Sequence, residues 1–219
     1  MVIASKLMSI GIMVFSIGIG FITLIIFGGL IKEQRKLYLE EMLSQFINLI
    51  LFVWAGKIIL NFSVFITDPM SVLAYPSDSN SFYLAVFFSA VLFFYKSSKW
   101  DLDTLLFLES ILLVLLMASF TYEFIQYIWY GNQFAFGYLI LLAVLLLVFI
   151  FSRNRFTPAA LILVILTVWC LGVFLLLFIQ PFVTVFGYMI TPWFLGLLFV
   201  GGFSYIFIVK ERGDNNGWN

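Results

Sequence analysis

Seven runs of almost wholly apolar residues, each close to the length needed to cross a bilayer, dominate this chain. They cover residues 9–31, 43–66, 81–97, 104–129, 134–152, 158–180 and 183–209. A helix spanning the hydrocarbon core needs about 20 such residues, within a range of roughly 17–25. The runs are continuous, without the period-two alternation of a membrane β-barrel, so helices are expected. Of 219 residues, 64% are hydrophobic and only 10% charged, with a mean hydropathy of +1.15. Soluble domains carry about 25% charged residues. The polar groups here are too few to cover a soluble body of this size, so the solvent for most of the chain is lipid. The expectation is an all-α integral membrane protein, a single polytopic domain over residues 1–219. The first run follows Lys6 with 23 uncharged residues. That exceeds the roughly 7–15 of a signal-peptide core, and no small-x-small site follows, so it reads as a retained span.

The loops between the runs alternate in charge. Lys32, Arg35 and Lys36 follow the first run, Lys96 and Lys99 the third, Arg153 and Arg155 the fifth, and Lys210 and Arg212 the seventh. No Lys or Arg follows the second, fourth or sixth run. Basic residues near spans are retained on the cytoplasmic side. Seven spans follow, with the N-terminus outside and the C-terminus cytoplasmic; short loops and simple retention signals suit a bacterial cytoplasmic membrane. The third run has the shortest apolar core, FYLAVFFSAVLFFY, and a re-entrant segment is its alternative reading. If it did not cross, Lys96 and Lys99 would fall opposite the other basic loops. The charged stretch KEQRKLYLEE, residues 32–41, reads as a solvated connector or a helical extension.

The one long outer loop, residues 67–80, contains helix-start signals. Asp68 precedes Pro69, an N-cap followed by a first-turn proline. Tyr75 and Pro76 close the short helix so begun, and Asp78 stands before the third span. Capping is the expected role of both aspartates. Trp100, Trp129, Tyr130 and Trp193 sit near span ends, where amphipathic rings anchor at the interface. Pro181 is expected to end span six, and Pro192 to kink span seven in its outer part. Small residues on span one (Gly11, Ser16, Gly18, Gly20) and span seven (Gly196, Gly201, Gly202, Ser204) mark faces where helices approach closely. The fifth span, with no polar handle over residues 139–151, is expected to be peripheral.

Three ionisable residues lie inside spans: Lys57, Glu109 and Glu123. Such groups are costly in lipid and usually face the bundle interior with a partner. At 1.5 Å per residue, Lys57 lies about 21 Å into span two, Glu109 about 8 Å into span four, and Glu123 about 29 Å along it. Glu109 is shallow enough to reach the cytoplasmic interface by snorkelling. Glu123 shares its neighbourhood with Ser119 and Gln126, and Asn61 lies one turn outward from Lys57. The expected arrangement is a Lys57–Glu123 pair in the outer half, with Asn61 beside it, serving either as a structural pair or as an ion or substrate site.

Several chemistries have no residues to carry them. The chain has no histidine and one cysteine, Cys170, and it lacks a nucleophile elbow or phosphate loop. No cofactor or metal is expected. Zero net charge, from eleven basic and eleven acidic residues, gives no footprint for nucleic acid. The leading expectation is a non-catalytic membrane-complex subunit, assembly factor or regulator. Its partners would be the lipid bilayer and another membrane protein, met through the small-residue faces of spans one and seven. The alternative is a small transporter or channel subunit with a Lys57/Glu123 polar site; a membrane enzyme relying on carboxylates comes third.

Overall fold

The computed structural model describes residues 2–74, 78–99 and 102–216, with side chains described from residue 8 to residue 72, over 78–99 and 102–209, and at 211. Tyr75, Pro76 and Trp100, and the side chains of Lys6, Lys210 and Arg212, lie outside that description. The elements run α1 (Val2–Phe27), α2 (Lys32–Leu60), α3 (Phe62–Thr67), α4 (Pro69–Ala74), α5 (Ser79–Ser97), α6 (Thr104–Tyr130), α7 (Gln133–Ser152), α8 (Pro158–Ile179), strands β1 (Thr184–Val185) and β2 (Tyr188–Met189), and α9 (Pro192–Asn216). Six helices are long and apolar enough to cross a membrane: α1, α2, α6, α7, α8 and α9. This is an all-α membrane architecture. The segment 32–41 is not a separate connector; it forms the first turns of α2.

The helices form two compact units. The first holds α1 and everything from α6 onward, and α6 is its axis. Helix α6 packs against α1, α7, α8 and α9, and its buried side chains run from Phe107 to Glu123. Where α1 crosses α6, Gly20 lets the backbones approach closely. A Cβ there would lie 2.6 Å from the carbonyl oxygen of Val114. Ser16 and Leu24, one turn to either side, are buried on the same face. Helix α7 buries Tyr138, Leu142, Leu145 and Phe149, a four–three–four spacing that defines one face. It packs on both α6 and α8, so its apolar run is lipid-facing on one side only. Gly172 faces Leu141, and Gly202 faces Leu166, bringing α8 close to α7 and to α9.

Five helix ends meet at one end of this unit. Ala159 at the start of α8, Ile206 late in α9 and Leu105 at the start of α6 share a core cluster. The last residues of α1 and the residue after α7 join Glu109 of α6 there, as described below. Helices α6 and α8 therefore run opposite to α1, α7 and α9.

At the other end, the expected seventh span is corrected. Residues 183–191 are not helical. Thr184 and Val185 pair with Met189 and Tyr188 in an antiparallel hairpin. Its two central residues, Phe186 and Gly187, have φ of 52° and 84°, the left-handed pair that a tight hairpin turn requires. Pro192 is the first residue of α9 rather than a kink within it. A proline without an N–H costs nothing at that position, where the amide has no helical partner. Pro181 does follow the end of α8, whose C-cap is Gln180.

The second unit consists of α2, α3, α4 and α5. Helix α2 stops at Leu60, and Asn61 caps it, donating both its backbone N–H and its side-chain amide to the Lys57 carbonyl. The expected continuous run to residue 66 is thereby broken, with α3 as a separate short helix. Asp68 accepts from Ser71 N at 3.1 Å, and Asp78 accepts from Ser81 N at 3.0 Å, so both aspartates are N-caps. Helix α5 packs antiparallel on α2. Gly56, late in α2, meets the backbone of Ser81 early in α5, where a Cβ would come within 2.8 Å of the Ser81 oxygen. At the opposite ends, Lys96 Nζ pairs with Glu41 at 2.9 Å.

The close approaches separate the glycines into two groups. Replacing Gly20 by Val forces a β-carbon against a backbone oxygen that cannot move independently. Overpacking of this kind costs about 1–3 kcal/mol. Thermal unfolding in detergent should show that loss for G20V, whereas G11V, whose Cβ meets nothing within 4 Å, should unfold like the wild type.

Candidate functional site

Helix α6 has a buried carboxylate near each end, and the two are treated differently. Glu109 and Glu123 are fourteen residues apart, which returns them to one helical face about 21 Å apart. Apolar side chains fill the stripe between them, including the buried Leu113 and Leu116. There is no continuous polar track.

Glu109 is held by Arg153. The guanidinium Nε donates to Glu109 Oε1 at 2.6 Å, and Nη1 and Nη2 donate to the carbonyl oxygens of Phe27 and Gly28. Each partner follows from local structure. Arg153 is the C-cap of α7, its backbone N–H closing on Phe149. Helix α1 ends at Phe27, and Gly29, with φ of 64°, turns the chain away. The last carbonyls of α1 thus have no helical donor. A planar, forked guanidinium satisfies two carbonyls and a carboxylate together, which an ammonium could not do with the same geometry. Positive charge is also favoured at the C-terminal end of α1 by the helix dipole. The snorkelling expected of Glu109 is replaced by this contact.

Glu123 lies at the hairpin end and is 1% exposed. Its Oε1 has no hydrogen-bond partner among the described residues. Its surroundings are hydroxyl-rich. Ser119 and Tyr122 are buried on the same helix, and the Tyr122 hydroxyl bonds the Gln126 side chain one turn on. Tyr138 of α7 interacts electrostatically with Glu123, lies beside Ser119, and accepts a hydrogen bond from Trp169 Nε1 of α8 at 3.0 Å. The hairpin turn seats on Tyr122: the Phe186 ring packs edge-on at 5.6 Å, and a Cβ on Gly187 would come 3.0 Å from the tyrosine hydroxyl.

The structure thus brings Glu123 together with Ser119 and Gln126, two residues expected there, and adds Tyr122, Tyr138, Trp169 and the hairpin. A signal for Tyr138 and Trp169 was present in the chain: each lies within an apolar run, where a buried hydroxyl or indole N–H needs a partner. Lys57 is buried in α2 and belongs to the second unit, so its expected pairing with Glu123 joins residues of different units and remains a proposal. Asn61 is exposed and spends its amide on capping α2. Asp68 and Asp78 are caps. Of the helix-packing glycines expected, Gly20 makes a close contact; Gly11, Gly18, Gly196 and Gly201 do not, because a Cβ on any of them would meet nothing within 4 Å. The close contacts within the chain use Gly56, Gly137, Gly172 and Gly202 instead. Cys170 is a buried free thiol.

Removing Arg153 strands a buried carboxylate and two helix-end carbonyls at once. R153M should lower stability by about 3–5 kcal/mol, the usual cost of breaking a buried pair by deleting one partner. The double variant R153M/E109Q should recover part of that loss. Detergent unfolding of the four proteins in the cycle measures the coupling.

Comparison with protein-family models, with curated proteins and with solved structures found no match to this chain.

Proposed function

We propose that this protein acts without catalysis, as a subunit, assembly factor or regulator of a membrane complex, through lateral helix contacts. One observation carries the reading. A Cβ added at Gly11 or Gly18 on α1, or at Gly196 or Gly201 on α9, would meet no described atom within 4 Å. Glycine in a helix is costly unless a close approach repays it. Gly20 and Gly202 on the same two helices are repaid within the chain. The outward glycines have the property that membrane helix interfaces use, a surface on which a second backbone can lie closely.

The topology we propose is seven crossings, with the N-terminus outside and the C-terminus cytoplasmic, in the bacterial cytoplasmic membrane. The support is one of parity. Within the first unit, the end of α1 and the start of α6 lie at the same end, because Arg153 holds Phe27, Gly28 and Glu109 together. The chain between them must cross an even number of times. Helix α2 is long and apolar enough to cross, so a second crossing is required. Helix α5, 19 residues long and lying antiparallel along α2, is the element that supplies it. Its polar first turn, Ser79, Asn80 and Ser81, dilutes its apolar run. The basic clusters then all fall on one side.

A second reading, a small transporter or channel subunit with Glu123 and Lys57 as its polar site, is favoured by the orphaned oxygen of Glu123.

Purification in mild detergent should recover a second membrane protein, and G196L/G201L should lower that recovery about tenfold, the effect of losing about 1.4 kcal/mol of contact. The same variant should keep the wild-type unfolding temperature. A lone protein that conducts solute in liposomes overturns the subunit reading. For topology, single cysteines at Asn80 and Arg155, in a background with Cys170 replaced by alanine, should react with an impermeant thiol reagent from opposite sides of the membrane. Labelling from one side sinks the seven-span arrangement.

A further inference from the structure

Among the described side chains of its own unit, Glu123 has no counter-charge. Neither α6 nor α7 nor α8 contains a lysine or arginine, and the described side chains of α1 include none. Arg153 is committed to Glu109 at the other end of α6. The basic residues of α9 begin at Lys210, near its far end. The titratable groups that the surrounding elements offer are Tyr138 on α7, Cys170 on α8, Tyr188 on the hairpin and Tyr205 on α9, together with Tyr122, Tyr127 and Tyr130 of α6 itself. These side chains are ordinarily neutral at pH 7 and cannot balance a carboxylate. They supply oxygen atoms instead. The Tyr138 hydroxyl accepts from Trp169 and bonds the Ser119 side chain, which leaves one of its three hydrogen-bonding positions for an occupant beside Glu123.

We propose that Glu123 is a binding site for a single positive charge, an alkali cation or hydronium, taken up from the hairpin end of the first unit. The charge follows from the donors. One carboxylate balances one positive charge, whereas calcium and magnesium sites use several hard oxygen ligands, commonly with more than one carboxylate. The direction of entry follows from depth. Glu123 is seven residues from the end of α6 at Tyr130, about 10 Å along the axis, while the apolar stripe through Leu116 and Leu113 closes the way to Glu109. At the near end the Phe186–Gly187 turn seats on Tyr122 and covers this cluster. A buried carboxyl with an unsatisfied oxygen is expensive to keep in lipid. A bound cation or proton removes that cost. The inference deepens the second functional reading and is independent of the first.

The test uses the full chain in mild detergent, with unfolding followed by tryptophan fluorescence. Sodium, potassium and lithium chlorides are compared with choline chloride at constant ionic strength, and a pH series is run in choline alone. An alkali cation in the site raises the unfolding temperature by about 3–6 °C once it exceeds its dissociation constant tenfold. Hydronium as the occupant gives no alkali response, and the unfolding temperature rises as pH is lowered. In either case the response disappears in E123Q, which keeps the shape of the side chain and removes the charge. Absence of both responses in the wild type, or the same response in E123Q, overturns the site. A cation response without flux in liposomes keeps the site and eliminates the transport route, so the two failures are separable.

Discussion

The contact of Arg153 with Glu109 and with the carbonyls of Phe27 and Gly28 is the interaction on which the rest of the first unit depends. It joins the end of α1, the start of α6 and the end of α7. None of the three groups has an alternative partner as good. The α1 carbonyls have left their helix, the carboxylate is buried, and the guanidinium has left α7 by one residue. Within lipid, hydrophobicity does not drive helices together, since the tails are as apolar as leucine. Association must come from packing and from polar groups that would otherwise go unsatisfied. Arg153 concentrates that second source at one point. It also places residues 28 and 109 at the same end of the first unit although four helices intervene in sequence.

Packing supplies the first source, and its distribution is uneven. Gly20 against Val114, Gly172 against Leu141 and Gly202 against Leu166 bring successive helices into van der Waals contact around α6. On α1 and α9 the other described glycines, Gly11, Gly18, Gly196 and Gly201, make no such contact. An axis helix with partners on several sides buries its full circumference, so α6 has the densest run of buried residues in the unit. A helix with one or two partners buries a stripe, as α7 does. This explains why α7, apolar along nearly its whole length, still has a defined inner face: Tyr138, Leu142, Leu145 and Phe149 differ from their outward neighbours in position rather than in chemistry.

Much of the chain was legible before any coordinates. The positions of the long helices, the caps at Asp68 and Asp78, and the role of Pro181 follow from local rules that act over four residues. What escaped depends on non-local partners or on competing local signals. The hairpin at 184–189 is made of residues as apolar as a span, so hydropathy alone merges it with α9; the signal was the Phe186-Gly187 step followed by Pro192. The four open glycines were indistinguishable by spacing from Gly20, because a glycine does not record which helix it will meet. Arg153 was read only as a topological marker, since its three partners lie 44 and about 125 residues away. Glu123 was correctly singled out as an intramembrane charge, but its hydroxyl surroundings come from α7, α8 and the hairpin.

The two ends of α6 show how one helix can use the same residue type for opposite purposes. Glu109 sits beside Arg153, so a cation is available and the carboxylate becomes part of the fold. Glu123 sits at the other end, where the described side chains of the first unit include no lysine or arginine. A buried carboxylate without a described counter-charge beside it is met instead by the hydroxyls of neighbouring helices, and any positive charge that balances it comes from beyond those side chains.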